Sequence, residues 1–354
     1  MVLEKRQQIL QTFKAQKFDL LIIGGGITGA GIAWDAALRG LKVALVEKGD
    51  FASGTSSRSS NLIHAGLRYV FQKEFKLVRE ASMERRHLLD KAGHHVTPLP
   101  IIIPSYEDEK PNKLQIRLLL TFYDILAMFR NYKRHRRVSK KYLLNTVPGM
   151  REENLIGGYI YYDAKMDDAR FTLQIVRAAE DAGAILLNYA EVVELIKNEA
   201  EVCGTRIVDK TNGNQFDIQA SLVIVATGPW TDKILTLDDP NHQAIVRTTK
   251  GVHIITSRLM PSCEKFGDIG MVTKGPDGRF AFIIPWGEYS IVGTTDTDFE
   301  KSSDEVTPTE EDIEYLIATA NRFIPNAISR KDIFSIYAGV RPLVAPLGKE
   351  AASE

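Results

Sequence analysis

Gly24, Gly26 and Gly29 stand in G-x-G-x-x-G register directly after the apolar run Leu20-Leu21-Ile22-Ile23. A second apolar run, Val43-Ala44-Leu45-Val46, ends on Glu47 and Lys48. Gly24 permits the tight turn out of a strand. Gly26 has no Cβ, so a pyrophosphate can approach the backbone there, and Gly29 lets the following helix pack close to the strand. Phosphates then sit at the helix N-terminus, beside Gly25 and Thr28, where free N–H groups and the helix dipole favour anions. Glu47 falls about 20 residues further on, where an acid accepts both ribose hydroxyls. Strand, glycines, helix, second strand and terminal acid together specify a dinucleotide site.

That unit alone does not choose between a nicotinamide and a flavin dinucleotide. The stretch after it does. Residues 49–61, Gly-Asp-Phe-Ala-Ser-Gly-Thr-Ser-Ser-Arg-Ser-Ser-Asn, are rich in short hydroxyl side chains. Thr55, Ser56, Ser57 and Ser60 can wrap a second phosphate and an extended flavin chain, and Leu62, His64 and Gly66 follow directly as further candidates for cofactor contact. A far segment, Ser221 to Trp230, reads as a buried strand ending Ala226-Thr227-Gly228-Pro229-Trp230. Such a strand returns to the first sheet and brings Ala226, Thr227, Gly228 and Trp230 to the cofactor, with Val192 beside them. These features predict FAD.

The elements around them follow from periodicity. A leading helix is expected within 1–17, and helices over 75–92, 113–129, 168–182 and 309–322. Strands are expected at 98–111, 151–162, 185–196, 202–209, 215–219, 222–226, 253–255, 280–285 and 290–294. Thr307-Pro308-Thr309-Glu310 is a helix-start pattern. The interleaving predicts an α/β and α+β protein. A Rossmann-type FAD-binding domain would comprise 18–69, 151–240 and 336–354. A mixed-sheet substrate domain would be inserted as 70–150 and 241–335.

The 354 residues suffice for two cores, and 44% hydrophobic with 25% charged residues fits a globular chain. Lys plus Arg and Asp plus Glu are both 45, so no net field would gather nucleic acid. Cys203 and Cys263 are the two cysteines, without a C-x-x-C or His/Cys cluster. No metal site is expected, and a reducing, cytoplasmic setting fits. No run reaches the ~18 apolar residues of a membrane span, and the charged N-terminus lacks a signal core.

Longer blocks carry a resemblance. Thr55 to Tyr69, Asp167-Asp168-Ala169-Arg170, Ala226 to Trp230, Thr249-Lys250-Gly251-Val252-His253, Ile284-Pro285-Trp286, Val292 to Asp296 and Ala338 to Leu343 resemble the FAD-dependent glycerol-3-phosphate dehydrogenases and α-glycerophosphate oxidases. The resemblance implies a two-dinucleotide-fold, amino-acid-oxidase-like flavoprotein. It would oxidise sn-glycerol 3-phosphate to dihydroxyacetone phosphate, passing hydride to FAD N5 and electrons to a membrane quinone. Oxygen is the alternative acceptor. Arg68, Tyr69 and Arg341 match substrate contacts, since arginine's planar fork grips phosphate oxygens. His253 matches a base near the substrate hydroxyl and His64 a contact to the flavin, while Asp168 and Arg170 suit a structural pair. The apolar helix 114–129 and the basic run 130–141 are either a docking face for anionic lipid or a core helix followed by a solvated turn. Peripheral membrane association and a homodimer are both compatible.

Asn61 and Ala65 replace a lysine and a glycine usual in that family. Its members also continue into a Gly-Gly-Lys-Leu-Thr segment and a helical domain, whereas this sequence ends at Glu354. Weak FAD binding, slow turnover, or a non-catalytic FAD-binding remnant are the expectations that follow.

Overall fold

The computed structural model describes residues 2–345 except 65, 71–72, 261 and 264–266, and leaves the side chains of 2–4, 68, 262 and 263 outside the description. Helix α1 (Val2–Ala15) leads the chain. Its Phe13 is buried edge-on against Phe18, ring centroids 5.6 Å apart. The next elements are β1 (Phe18–Ile23), α2 (Ile27–Leu38), β2 (Val43–Val46), β3 (Leu62–Ile63) and α3 (Phe75–Lys91). Then come β4 (Thr97–Tyr106), α4 (Lys113–Leu126), β5 (Arg136–Val138), α5 (Lys140–Thr146), β6 (Leu155–Lys165) and α6 (Asp168–Asp181). The middle of the chain forms β7 (Ile185–Leu187), β8 (Ala190–Asn198), β9 (Glu201–Asp209), β10 (Gln215–Val225) and α7 (Thr231–Asp238). The remainder forms β11 (Val246–Ser257), β12 (Ser262–Cys263), β13 (Gly267–Asp268), β14 (Gly270–Lys274), β15 (Phe280–Trp286), β16 (Tyr289–Gly293), β17 (Thr297–Asp298), α8 (Glu310–Asn321) and β18 (Ile333–Val344).

Two large sheets organise most of these elements, and β12 pairs with β13 apart from them. The six-stranded sheet runs β7-β2-β1-β10-β9-β8. Its centre is parallel: β1 pairs with β2 and β10 in that sense, which needs strands apolar on both faces. Leu21, Ile22, Ala44 and Leu45 are fully buried accordingly. Helices α2 and α6 cover one face through Ala30, Ala33, Val176 and Ala179, whose small side chains let the helices lie close. The ten-stranded sheet runs β17-β11-β16-β15-β14-β4-β6-β3, with β18 on β11 and β5 on β6. Helices α5 and α8 pack Leu143, Leu316 and Ala320 into one cluster with this sheet. Helices α3 and α4 pack Val78, Ile116, Leu120 and Tyr123 into another.

Several expected boundaries differ. Residues 215–219 and 222–226 form one strand, because β10 pairs antiparallel with β9 in its first half and parallel with β1 in its second. The stretch 185–196 splits at Tyr189, which has positive φ. Helix α4 stops at Leu126 rather than 129, with Met128 and Phe129 also at positive φ. Residues 155–165 and 336–344, placed by sequence in the dinucleotide-binding part, pair within the ten-stranded sheet instead. Strand partners are non-local, and an apolar run carries no label for its sheet. Residues 346–354 lie outside the described residues.

Candidate functional site

The parallel strands β1, β2 and β10 end at one edge, and an open cleft of about 670 Å³ lies beyond it. This is where α/β sheets bind dinucleotides. Gly24 has φ of 112°, and a Cβ there would overlap the Ala226 carbonyl. Gly29 touches the Gly24 carbonyl so closely that any side chain would overlap it. Both glycines are therefore imposed by close backbone packing at the cleft floor. Gly26 is the N-cap of α2 and offers no side chain; Ser56 Oγ accepts the Ile27 N–H at 3.0 Å, and Gly26, Ile27 and Thr28 face the cleft. Glu47 receives Gly25 N–H on Oε2 and Gly49 N–H on Oε1, each at 2.7 Å. The carboxylate is thus fixed in place, and each oxygen retains a lone pair for a further hydroxyl.

Thr28, Lys48, Thr55, Ser56, Val192, Ala226, Thr227, Gly228 and Trp230 line the same cleft, together with Ser59 and Asp168. The residues present fit a dinucleotide: a helix start facing the cleft, an aimed acid and a glycine floor. Gly25 lies behind the wall against Phe51 and Glu47. Ser57 bonds Gly54 O, and Leu62 packs into the core of the other sheet. These three do not reach the cleft. Sequence reading missed Asp304. It bonds Lys48 Nζ at 2.6 Å and Trp230 Nε1 at 3.0 Å, so the loop before α8 fastens onto the cleft's rim.

A second cavity, about 180 Å³, opens on the ten-stranded sheet. Ser60, His64, Gly66, Thr294 and Arg341 line one part of it. The guanidinium of Arg341 lies across Gly251, where any side chain would collide with it. It donates to Thr294 Oγ1 at 2.8 Å and to Asp296 Oδ1 at 3.1 Å. Thr294 and Asp296 fall in the 292–296 block noted in the sequence, which gave them no site role. Tyr69 packs its ring against Gly66 from behind. The side chain of Arg68, and all of Ala65, lie outside the described residues.

Loop 55–61 separates the two spaces. It is held from both sides. Thr55 Oγ1 donates to Val340 O at 2.7 Å and Tyr337 OH to Ser59 O at 2.8 Å, both from β18. Ser59 Oγ donates to Asp168 at the start of α6, at 2.5 Å. Burial raises the Asp168 carboxyl above its ordinary value. Asn61 adopts φ of 55°, a left-handed conformation that asparagine tolerates better than lysine. Ser59 faces the cleft and Ser60 the cavity.

His253, expected to be the base, does not reach the cavity wall. It is 2% exposed, stacked on Tyr337 at 4.9 Å, with Nε2 2.8 Å from Ser60 Oγ. Its Nδ1 is buried without a hydrogen-bond partner. Burial, then the nearby Arg341 charge, depresses its pKa to about 3. The ring is neutral and acts on the cavity only through Ser60. His64, by contrast, is on the wall and exposed. Arg170 is not among the residues lining either space. Among the described residues no His, Cys, Asp and Glu group could hold a metal.

Comparison with known proteins agrees with this geometry. The profile of a family described as FAD dependent oxidoreductase matches residues 19–350. A glycerol-3-phosphate dehydrogenase of Mycobacterium leprae is 40% identical over 345 residues, 97% of this chain and 58% of the relative. An aerobic glycerol-3-phosphate dehydrogenase of Staphylococcus haemolyticus is 39% identical over 98% of this chain and 62% of its own length. The solved glycerol-3-phosphate dehydrogenase of Bacillus halodurans, complexed with FAD, superposes with a TM-score of 0.77 at 34% identity, covering 96% of this chain and 60% of that one. The chain thus spans about 60% of the length of these relatives.

Proposed function

The chain belongs to the FAD dependent oxidoreductase family, and we propose that it oxidises sn-glycerol 3-phosphate to dihydroxyacetone phosphate with FAD as its cofactor. The observation that carries this reading is the shared wall. Loop 55–61 sets Ser56 and Ser59 on the dinucleotide cleft and Ser60 on the cavity of Arg341 and His64. A cofactor in one space and an anionic alcohol in the other would meet at that loop. The names of the bacterial relatives support this choice of substrate.

When bound, FAD supplies the hydride acceptor. Gly24, Gly26, Gly29, Glu47 and the hydroxyls of the loop would hold it. Arg341, braced by Asp296 and Thr294, anchors the substrate's phosphate and so fixes the carbinol carbon against the loop. His64 accepts the hydroxyl proton, because it is on the wall and a neutral imidazole nitrogen is a proton acceptor. His253 orients Ser60 and keeps water out of the joint. Tyr69 supports the Gly66 turn of the cavity wall from behind.

Electrons leave for a membrane quinone, reached by docking on an anionic lipid surface. Helix α4 supports this. Its inner face buries Ile116 and Leu120, while Leu114, Leu118 and Ile125 are 62%, 61% and 51% exposed. Arg117 is exposed on the same helix, and the exposed Arg130, Lys133 and Arg134 follow it in the chain. Its 14 residues are too few to span a bilayer, which needs about 20. The test is turnover of the FAD-loaded chain with sn-glycerol 3-phosphate and a soluble quinone. Dihydroxyacetone phosphate should accumulate with quinone reduction and without peroxide. Peroxide in air at the same rate as quinone reduction would overturn the acceptor; no ketone product would overturn the substrate.

A further inference from the structure

The cavity of Arg341 has a second end, and that end is charged. Glu109 and Lys274 line it, with apolar walls from Ile103, Leu119, Phe282 and Phe323 in between. Lys274 is 8% exposed. Its Nζ donates to Glu109 Oε2 at 2.8 Å and to the Lys110 carbonyl. Arg322 donates to the other oxygen of the same carboxylate at 2.7 and 3.1 Å. Burial alone would raise the Glu109 carboxyl, but the bonds from Lys274 and Arg322 hold it below its ordinary value. Two cations therefore share one ionised carboxylate: Lys274 is almost wholly buried, Arg322 is 32% exposed, and together they carry one positive charge in excess of Glu109. Arg341, at the other end, is compensated by Asp296. An ammonium has three donors and Lys274 uses two on protein acceptors. The spare ammonium donor, and the positive charge in excess of Glu109, suit this end to an anion.

We propose that the Lys274 end of the cavity is a second oxyanion subsite, taking a phosphate-type group separate from the one at Arg341. Lys274 lies on β14 and Thr294, which holds Arg341, just past β16, two strands away. Strands lie about 4.8 Å apart, so the ends are on the order of 10 Å from one another. A three-carbon monophosphate does not bridge that span. The occupant is either free phosphate beside the substrate or the far oxyanion of a longer glycerophosphate whose carbon chain crosses the apolar middle. The proposal rests on the functional reading only for the ligand at Arg341.

Calorimetric titration of inorganic phosphate into the FAD-loaded protein tests it without turnover. The wild type should bind at two sites, one lost in Arg341→Ala. The other should weaken tenfold or more in Lys274→Met, persist in Lys274→Arg and tighten in Glu109→Gln, which removes the competing carboxylate. A merely structural pin would respond differently: Lys274→Met and Glu109→Gln would both lower the melting temperature, with neither site tightened. That result, or a single site untouched by Lys274→Met, overturns the proposal. Adding sn-glycerol 3-phosphate separates the sources. Phosphate still bound at Lys274 marks free phosphate as occupant, whereas its displacement by a glycerophosphodiester, but not by glycerol 3-phosphate, marks the longer substrate. If glycerol 3-phosphate fails to reduce the flavin while Lys274-dependent phosphate binding persists, only the functional reading falls.

Discussion

Arg341 is prepared for an anion before one arrives. It lies flat over Gly251 and is braced by Thr294 and Asp296, so its fork loses little freedom on gripping a phosphate. Each charge-assisted bond of this kind is worth about 1.5 to 3 kcal/mol. Arg341→Ala should therefore raise the glycerol 3-phosphate concentration needed for half-reduction of the flavin tenfold or more, with FAD still bound. Plain glycerol has no phosphate to lose. Equal losses for both compounds would assign Arg341 to the fold instead. His253 makes a separate prediction. Its folded pKa, about 3, lies below the ordinary 6.5. The unfolded chain takes up this proton first as pH falls, so its contribution is full above 6.5 and is lost progressively toward 3. At pH 5 the loss is about 2 kcal/mol. Melting curves at pH 7 and pH 5 should diverge less in His253→Gln than in the wild type. An identical divergence would mean that the ring is protonated in the fold.

Helix α2 and the turn before it are held by contacts that only glycine permits. Gly29 touches the Gly24 carbonyl, so Gly29→Ala should push α2 off β1 and widen the cleft floor. We expect FAD occupancy to collapse in this variant and stability to fall by several kcal/mol, as overpacking does. Full FAD binding by a stable Gly29→Ala protein would contradict the packing described. Glu47→Arg should weaken FAD as well, by removing the acceptor that Gly25 and Gly49 hold in place. This element was legible in the sequence because strand, glycines, helix and acid are neighbours within 30 residues. The same locality made 222–225, the second half of β10, readable as a returning strand that ends beside Ala226 to Trp230. The second cavity was only partly readable. Arg341, His64 and Asp296 sit in distinctive motifs, but Lys274, Glu109 and Asp304 are ordinary charged residues in sequence. Only non-local pairing, β18 on β11 and β14 beside β4, brings the first two to one cavity. For the same reason the sheet of 336–344 was misassigned, and His253 was read as a wall residue when Ser60 stands in front of it.

At the scale of the molecule, loop 55–61 separates cleft from cavity, and helix α4 exposes apolar residues with Arg117 on the helix and the exposed Arg130, Lys133 and Arg134 following it in the chain. If that face docks on lipid, replacing Arg130, Lys133 and Arg134 by glutamine removes about 1 kcal/mol for each charge. Sedimentation with phosphatidylserine vesicles should show binding weakened roughly a hundredfold at low salt. Neutral vesicles should show no change, and undiminished binding to anionic vesicles would refute the docking face. The central claim is that cofactor cleft and cavity work as one site on glycerol 3-phosphate. Its most direct test is anaerobic absorbance of the FAD-loaded chain during addition of sn-glycerol 3-phosphate. The account predicts loss of the oxidised flavin band with glycerol 3-phosphate at concentrations where glycerol leaves it intact; an unchanged flavin band with both compounds, in a protein fully loaded with FAD, would contradict it.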